Sequence, residues 1–363
     1  MSLLFLFGGG MEYNFCTTWR SLTAGKTKGG KRFFMEKRIS AARLTEIVTR
    51  FREKSILVVG DLMVDEYLMG NAQRISQEGP VMVIEVHSDE FKPGGAANVA
   101  NNLRSLGAKV GIAGVVGEDE MGRLLQEELQ TWEIGTTGIL TDSSRPTTRK
   151  TRVVAQNQQV LRVDREQTHP LHSELAEELV VRVEEALRQA DAVLVSDYRK
   201  GVISPEVAAR LSALAVAMGK PLVTNPKPTS ALWLKGASVL SLNHFEAEEL
   251  SRSRLPEDPA ELHRYGVEMR ERLEVDTLVI TQREQGLDYW RSNGEHAHVP
   301  AHTVEVADGA GAGDSTISAM TLALVSGANT YEAAEIACLA GACVVRKHGV
   351  ATVTPEEILA EVY

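Results

Sequence analysis

Short apolar runs alternate with helical segments along most of the chain, and this alternation constrains the fold more than any other feature. The runs are rich in β-branched residues and apolar on both faces, and they occupy residues 56–60, 110–116, 192–196, 222–224, 239–242 and 278–281. Apolar residues recur at helical spacing between them, over residues 118–130, 171–189, 205–218 and 260–273. Strands buried on both faces and alternating with helices predict an α/β fold with a mainly parallel central sheet and helices on both faces.

Two segments break this alternation. Residues 81–86 and 147–164 alternate apolar and polar side chains, a pattern typical of half-exposed antiparallel strands. We expect them to form a small β lid, drawn from about residues 72–91 and 147–165. Because the chain shows neither a long Gly/Ser linker nor an internal repeat, residues 35–363 are interpreted as one domain with this lid.

The first 34 residues differ from the rest in charge. They carry five basic side chains and one acid, whereas the whole chain has a net charge of −10. Their short apolar opening has no basic residue before it and is unlike a secretory signal. Two interpretations stay open: a disordered leader, or a mis-assigned start with Met35 as the natural first residue.

Composition excludes several classes of function. No apolar run approaches the roughly 20 residues that a membrane-spanning helix needs, so we expect no membrane partner. An acidic chain lacks the excess of Lys and Arg on which nucleic-acid binding depends. Three cysteines without metal-ligand spacing indicate a reducing compartment, and we expect a cytoplasmic protein.

The most informative segment is a glycine-rich loop before an apolar helix. Gly309, Gly311 and Gly313 precede a predicted helix over residues 315–325, so their amides and the helix N-terminus favour a phosphate. The dinucleotide fingerprint fails, because Asp314 stands where its third glycine would fall. A carboxylate beside a phosphate site can accept the proton of an attacking hydroxyl. The alternative is that Asp314 only caps the helix.

A second glycine motif opens another predicted helix. Gly94 and Gly95 precede apolar residues at helical spacing that end near Gly107. The glycine pair lets a ligand approach the backbone, and Asn98 can hydrogen-bond sugar hydroxyls. A simple turn before a helix is the competing interpretation.

Together these segments resemble the signatures of the ribokinase-like (PfkB) carbohydrate kinases. Residues 94–107 match the N-terminal signature, residues 308–314 the C-terminal signature, and Asn243-His244-Phe245-Glu246 the family's Asn-x-x-Glu motif. The resemblance covers about residues 50–355 and implies a three-layer ribokinase-like sandwich. It also implies a phosphotransferase with a sugar hydroxyl as acceptor, ATP and Mg²⁺ as cofactors, and a possible monovalent cation.

The resemblance implies roles for individual residues. Asp314 is the general base, and the amides of Gly311, Ala312 and Gly313 form the anion hole. The ATP-binding residues are Asn243, His244, Phe245, Glu246 and Lys227. Of these, Asn243 and Glu246 hold Mg²⁺, through water.

Further segments narrow the resemblance to the heptose 7-phosphate kinases within the family. They are residues 60–65, 74–81, 150–153, 158–164, 196–202, 226–227 and 349–355. This implies ATP-dependent phosphorylation of the anomeric hydroxyl of D-glycero-D-manno-heptose 7-phosphate, a precursor of ADP-heptose. The implied substrate-binding residues are Asp65, Gly94, Gly95, Asn98, Arg74, Lys150, Arg152 and Arg162. The sequence departs from the usual pattern at Gln77, Gly79, Asn225 and Gly309.

Two other functions remain open at this stage. One is phosphorylation of a different sugar or sugar phosphate, and the other is a catalytically silent sugar or nucleotide sensor. Because half-exposed lid strands leave one apolar face to cover, we also expect a homodimer through the lid.

Overall fold

A computed structural model describes residues 38–156 and 158–362. The chain divides after Met35, and the described residues all belong to the second part, residues 36–363. The interpretation of residues 1–34 as a leader or mis-assigned start lies outside the described residues. None of the helices in the described ranges combines the length and apolar character needed to cross a bilayer.

A nine-stranded sheet forms the centre of the structure. Its strands are β1 (Ser55–Gly60), β4 (Lys109–Gly117), β5 (Gly135–Asp142), β8 (Ala192–Ser196), β9 (Leu222–Asn225), β10 (Val239–Asn243), β11 (Thr277–Thr281), β12 (Leu287–Arg291) and β13 (His296–Val299). The strand order is β13-β12-β11-β10-β9-β8-β1-β4-β5. All neighbours pair in parallel except β11–β12 and β12–β13, which are antiparallel. The predicted parallel core is confirmed, and β5, β12 and β13 extend it.

Helices cover both faces of this sheet. They are α1 (Ala41–Thr49), α2 (Ala96–Ser105), α3 (Glu120–Thr131), α4 (Ser173–Leu187), α5 (Pro205–Ala217), α6 (Pro228–Ala231), α7 (His244–Ser251), α8 (Pro259–Leu273), α9 (Ala312–Val325), α10 (Thr330–Val345) and α11 (Pro355–Ala360). Side chains of β1 alternate between two apolar clusters: Ile56 and Val58 face α1, α2, α9 and α10, whereas Leu57 and Val59 face α4, α5 and α8. This three-layer α/β arrangement confirms the expected fold class.

The position of α9 follows from its composition. It is apolar nearly all round, and eight of its residues are buried between α2 and α10. A helix without a polar face is stable only when covered on most sides. Its N-terminus is thereby held next to the N-terminus of α2.

A separate four-stranded sheet forms the lid. Its strands are β2 (Leu62–Ile75), β3 (Met82–Gly95), β6 (Thr148–Ala155) and β7 (Gln158–Arg165), in the order β3-β2-β6-β7. The lid is larger than expected from residues 72–91 and 147–165, because β2 runs straight on from the central sheet. The expectation of antiparallel strands holds for β2–β3 and β6–β7 but is wrong for β2–β6, which pair in parallel.

The two faces of the lid differ in chemistry. One cross-strand row carries Lys92, Asp65, Lys150 and Asp164, and the next row carries Phe91, Glu66, Thr151 and Val163. Because successive residues of a strand point to opposite faces, the first row lies on a charged face and Phe91 and Val163 on the other. Phe91 is 38% exposed and Val163 is 52% exposed, so the second face presents apolar surface.

Candidate active site

The N-terminus of α9 forms one side of the candidate site. Gly311 is the N-cap with φ 80°, and the helix begins at Ala312. The prediction that the helix starts at residue 315 is wrong by one turn, because Gly313 and Asp314 adopt helical geometry. Asp314 is therefore a first-turn residue and not the cap. The first amides of a helix have no intrahelical acceptor, and Cβ atoms added at Gly309 or Gly313 would meet nothing within 4 Å. Open space thus lies over the glycine loop.

Both oxygens of Asp314 are held by neutral donors. The Asn98 amide donates to Oδ2 at 2.6 Å, and the Tyr198 hydroxyl donates to Oδ1 at 2.8 Å. Burial raises the pKa of Asp314, while these two hydrogen bonds and the charge of Lys227 act in the opposite direction. A carboxylate with a raised pKa is a stronger base than a free aspartate, which suits it to accept a proton from a hydroxyl.

The glycine pair Gly94-Gly95 packs the lid strand against the start of α2. A Cβ atom at Gly94 would lie 2.6 Å from Asp65 Oδ2, and one at Gly95 would lie 2.5 Å from the Asp61 carbonyl oxygen. Gly95 also has φ 59° and ψ −133°, a conformation open to glycine alone. The pair permits this close packing, and it is not merely a turn.

Asn98 faces the catalytic side of the site. Its amide nitrogen bonds Asp314, and its backbone and side-chain oxygens accept from Asn102 Nδ2 at 2.9 and 3.5 Å. Asn102 Oδ1 in turn accepts from the Ser315 hydroxyl at 2.5 Å. This buried chain joins α2 to the first turn of α9 and fixes the orientation of Asn98.

The charged face of the lid brings three of the predicted substrate-binding residues together. Asp65 lies within β2, where Arg152 binds its Oδ1 at 2.5 Å. Lys150 is half-buried with its ammonium 5.7 Å from the centre of the Tyr198 ring. Burial lowers the pKa of Lys150, against the opposing effect of the Asp65 charge. Asp65, Lys150 and Arg152 are thus brought together as predicted.

Two predicted substrate residues lie elsewhere. Arg74 is exposed near the far end of β2, nine residues or about 30 Å of strand beyond Asp65. Arg162 stands opposite Arg152 on β7, but it is half exposed and pairs with Asp164 at 2.9 Å. Arg74 thus lies well beyond Asp65 on β2, and its part in substrate binding stays a prediction.

The Asn243–Glu246 motif forms the other side. It is a capping box: Asn243 Oδ1 accepts from the Glu246 amide at 3.0 Å, and Glu246 Oε2 accepts from the Asn243 amide at 2.9 Å. Glu246 Oε1 binds Lys227 Nζ at 2.7 Å. These oxygen donors are of the type that Mg²⁺ prefers. Because each oxygen already accepts a hydrogen bond, they fit a water-mediated contact better than direct coordination.

Next to this motif lies an exposed aromatic surface. Phe245 is 53% exposed, its ring centroid lies 3.9 Å from that of His244, and the Arg283 guanidinium lies 4.8 Å from its centre. Flat rings beside a cation offer a stacking surface for a nucleobase. Arg283 did not stand out in the sequence.

Two further residues, Tyr198 in the loop after β8 and Asp61 after β1, had no role predicted from the sequence. Tyr198 contacts Asp314, and the buried carboxylate of Asp61 accepts the backbone amides of Tyr198, Lys200 and Val202 at 2.7, 3.0 and 3.2 Å. Burial raises the pKa of Asp61 to about 7, with a further contribution from the charge of Asp197. The position of this loop in the sequence could have indicated its role, because it follows the carboxyl end of a parallel strand, where α/β sheets bind ligands.

Fold and site together define a class of protein. The charged face of the lid and the first turn of α9, with its buried carboxylate, meet at the carboxyl ends of parallel strands, where α/β enzymes bind their ligands. Residues 53–357 match the model of the pfkB family carbohydrate kinases, and the chain belongs to this family. The predicted enzyme class, a phosphotransferase with a sugar hydroxyl as acceptor, is confirmed by this membership.

Curated relatives are longer than this chain. It is 39% identical over 319 residues to the bifunctional protein HldE of Geotalea uraniireducens, with 88% of this chain and 65% of that protein aligned. The bifunctional protein HldE of Trichlorobacter lovleyi is 40% identical, with 84% of this chain and 62% of that protein aligned. The chain thus spans less than two thirds of the length of these relatives.

Solved structures share the fold. Ribokinase of Arabidopsis thaliana, complexed with ribose and ATP, superposes with a TM-score of 0.69 at 18% identity, covering 85% of this chain and 98% of that one. Phosphofructokinase-2 of Escherichia coli, in complex with potassium, gives the same TM-score and identity, covering 85% and 99%. At this identity the likeness establishes the fold alone.

Proposed function

We propose that the chain transfers the γ-phosphoryl group of ATP to the anomeric hydroxyl of D-glycero-D-manno-heptose 7-phosphate. The observation that carries the proposal is the position of Asp314: it lies in the first turn of α9 and accepts from Tyr198, whose ring centre lies 5.7 and 5.4 Å from the ammonium groups of Lys150 and Lys227. A base near two lysines suits the transfer of a phosphoryl group from a nucleotide to a sugar that already carries a phosphate. The similarity of residues 60–65 and 196–202 to heptose 7-phosphate kinases supports the choice of sugar.

In this mechanism Asp314 removes the proton of the anomeric hydroxyl while the hydroxyl oxygen attacks the γ-phosphorus of ATP. The bond to the β,γ-bridging oxygen breaks, and ADP leaves. Amides of Gly311, Ala312 and Gly313 stabilise the charge that develops on the phosphoryl oxygens, a contribution worth about 10²–10³ in rate. Lys227 neutralises charge on the nucleotide side.

Mg²⁺ supplies charge neutralisation on the nucleotide phosphates when bound, and Glu246 and Asn243 would hold it through water. Phe245 and His244 are proposed to contact the base of ATP. We extend the proposal to a monovalent cation, because the Escherichia coli relative of the same fold is described in complex with potassium. Comparing turnover in potassium and in tetramethylammonium tests that requirement.

Lys150 is proposed to bind the phosphate that the sugar already carries. A half-buried ammonium that forms no ion pair with the residues of 38–156 and 158–362 gains a strong charge-assisted bond when a phosphate arrives. Arg152, held by Asp65, lies next to it on the same face of β6. The lid thus offers the cationic partner that a sugar phosphate needs.

Replacing Lys150 by methionine should raise the KM for the sugar phosphate about 10- to 100-fold, since a charge-assisted bond is lost. The KM for ATP should change little. The matched control is Lys235→Met, which removes an exposed lysine paired with Glu274 far along the chain from the lid. Equal KM values for the sugar phosphate in wild type and Lys150→Met would show that Lys150 does not bind this phosphate.

A coupled ADP-release assay tests the choice of substrate. Heptose 7-phosphate, ribose, fructose 1-phosphate and nucleosides are compared at equal concentration, and we expect the highest kcat/KM with heptose 7-phosphate. Turnover only with an unphosphorylated sugar would support the alternative, another kinase of the same family. No turnover with any of them would favour a sugar or nucleotide sensor, against which the Asp314 geometry argues.

We also propose that a second copy of the chain covers the apolar lid face. Among the described residues, most of the large apolar side chains that are exposed to solvent belong to the lid strands and the turn between β2 and β3. They are Ile75, Val81, Met82, Val86, Phe91, Val160, Leu161 and Val163. Of these, Phe91, Leu161 and Val163 lie on the same face, and an apolar face on a sheet with two open edges is typical of an interface. Packing of this face against the same face of a second copy would remove both apolar faces from solvent.

Leu161→Glu should therefore convert a dimer into a monomer, because it places a charge on each side of the proposed interface. Light scattering at micromolar concentration measures the mass. Val216→Glu is the control, since Val216 is a 72% exposed apolar residue on α5, outside the lid. A monomeric wild type, or a Leu161→Glu variant that stays dimeric, would contradict the lid interface.

A further inference from the structure

Tyr198 connects the three parts of the candidate site, although it lies outside both glycine motifs and the Asn243–Glu246 motif. Its hydroxyl lies 2.8 Å from Asp314 Oδ1. The ammonium groups of Lys150 and Lys227 lie 5.7 and 5.4 Å from the centre of its ring. One side chain thus contacts the proposed base and both proposed phosphate-binding lysines.

The backbone around Tyr198 is fixed by two buried carboxylates. Asp61 accepts the Tyr198 amide, and Asp197 accepts the amides of Arg199 at 2.9 Å and Lys227 at 3.3 Å. Arg199 has φ 59°, so the chain turns sharply directly after the tyrosine. These contacts place the phenol before any ligand binds, and they tie the Lys227 backbone to the same loop.

We propose that Tyr198 is a positioning residue for phosphoryl transfer: its hydroxyl orients the Asp314 carboxylate, and its ring supports Lys150 and Lys227. This inference rests on the proposed role of Asp314 as the base. Asn98 and Tyr198 bind different oxygens of the carboxylate, so together they fix the plane in which its remaining lone pairs lie. Without the phenol, only the Asn98 bond would restrain that plane.

The hydroxyl also favours the ionised form of Asp314, because it donates to the carboxylate. The other ionisable groups that face Asp314 are Lys227, which favours ionisation, and Asp65 of the lid, which opposes it. Helix α9 carries no charged residue besides Asp314. Removing the hydroxyl should therefore raise the pKa of Asp314, and the acid limb of the rate profile should move to higher pH.

Tyr198→Phe removes the hydroxyl and keeps the ring. We expect kcat to fall about tenfold, KM values to stay within about twofold, and the acid limb of kcat to rise by about one pH unit. Tyr198→Leu also removes the ring and should raise the KM of both substrates as well. The matched control is Tyr289→Phe, which deletes a phenol hydroxyl that donates to Glu295 at 2.6 Å, on strand β12 at the far side of the central sheet. It should leave the acid limb unchanged.

A second readout does not depend on turnover. Carbon-13 NMR of chain labelled at the aspartate carboxyls, with Asp314→Asn as the assignment control, gives the pKa of Asp314 directly. That pKa should be higher in Tyr198→Phe than in wild type and unchanged in Tyr289→Phe. An equal Asp314 titration in wild type and Tyr198→Phe would overturn the inference. If wild type phosphorylates no sugar, the proposed function fails, yet the titration still decides whether Tyr198 controls Asp314.

Discussion

Asp314→Asn is expected to lower kcat by about 10²–10⁴-fold, the usual effect of removing a general base. Asparagine keeps the shape of the side chain and can still accept from Asn98 and contact the Tyr198 hydroxyl. The proton of the sugar hydroxyl would then have no acceptor. Turnover is measured by ADP release under saturating sugar phosphate.

The control measurements separate chemistry from folding. ATP affinity by calorimetry should stay nearly unchanged, because Asp314 acts on the sugar hydroxyl. The sign of the stability effect follows from linkage: with a raised pKa, the folded state binds the proton more tightly, so this carboxyl stabilises the fold at low pH and loses that contribution as pH rises through its pKa. At neutral pH Asp314→Asn should therefore unfold at the same or a higher temperature. Wild-type turnover in this variant would contradict the assigned base.

Gly95→Ala should destabilise the protein by about 2–5 kcal/mol, since it combines backbone strain with overlap at close-packed atoms. The added Cβ would lie 2.5 Å from the Asp61 carbonyl oxygen and 2.6 Å from Met63 Cε. The carbonyl belongs to the junction between β1 and β2 and cannot move without disturbing the site. Denaturant unfolding measures the loss.

Gly219→Ala is the matched control for this substitution. Gly219 has φ 61°, close to the 59° of Gly95, but an added Cβ would meet nothing within 4 Å. A left-handed alanine in open space should cost about 1 kcal/mol. If both variants lose the same stability, backbone conformation alone explains the effect and the close packing at Gly95 has no energetic role.

The central sheet could be predicted because its strands are apolar on both faces and separated by helices of ordinary length. The first lid strand was missed for the same physical reason. Residues 62–64 are as buried as the strand before them, so the chain shows no change of pattern where β2 leaves the central sheet. The sequence marks the lid only where its strands become half exposed.

The candidate site shows a similar division. Glycine spacing and an apolar helix revealed Asp314 and its loop, because these features depend on local sequence. Tyr198 and Asp61 are distant in sequence from Asp314, and only the meeting of β1, β8 and α9 brings them together. The capping box at Asn243 likewise became visible only in the structure, although Asn followed by Glu three residues later is its sequence signature.

The most direct test of the account is phosphorus-31 NMR of the product formed from ATP and heptose 7-phosphate. We expect a second sugar phosphate signal coupled to the anomeric proton, with the original 7-phosphate signal retained, and no second signal after the same incubation with Asp314→Asn. A new signal coupled to any other sugar proton, or full conversion by Asp314→Asn, would contradict it.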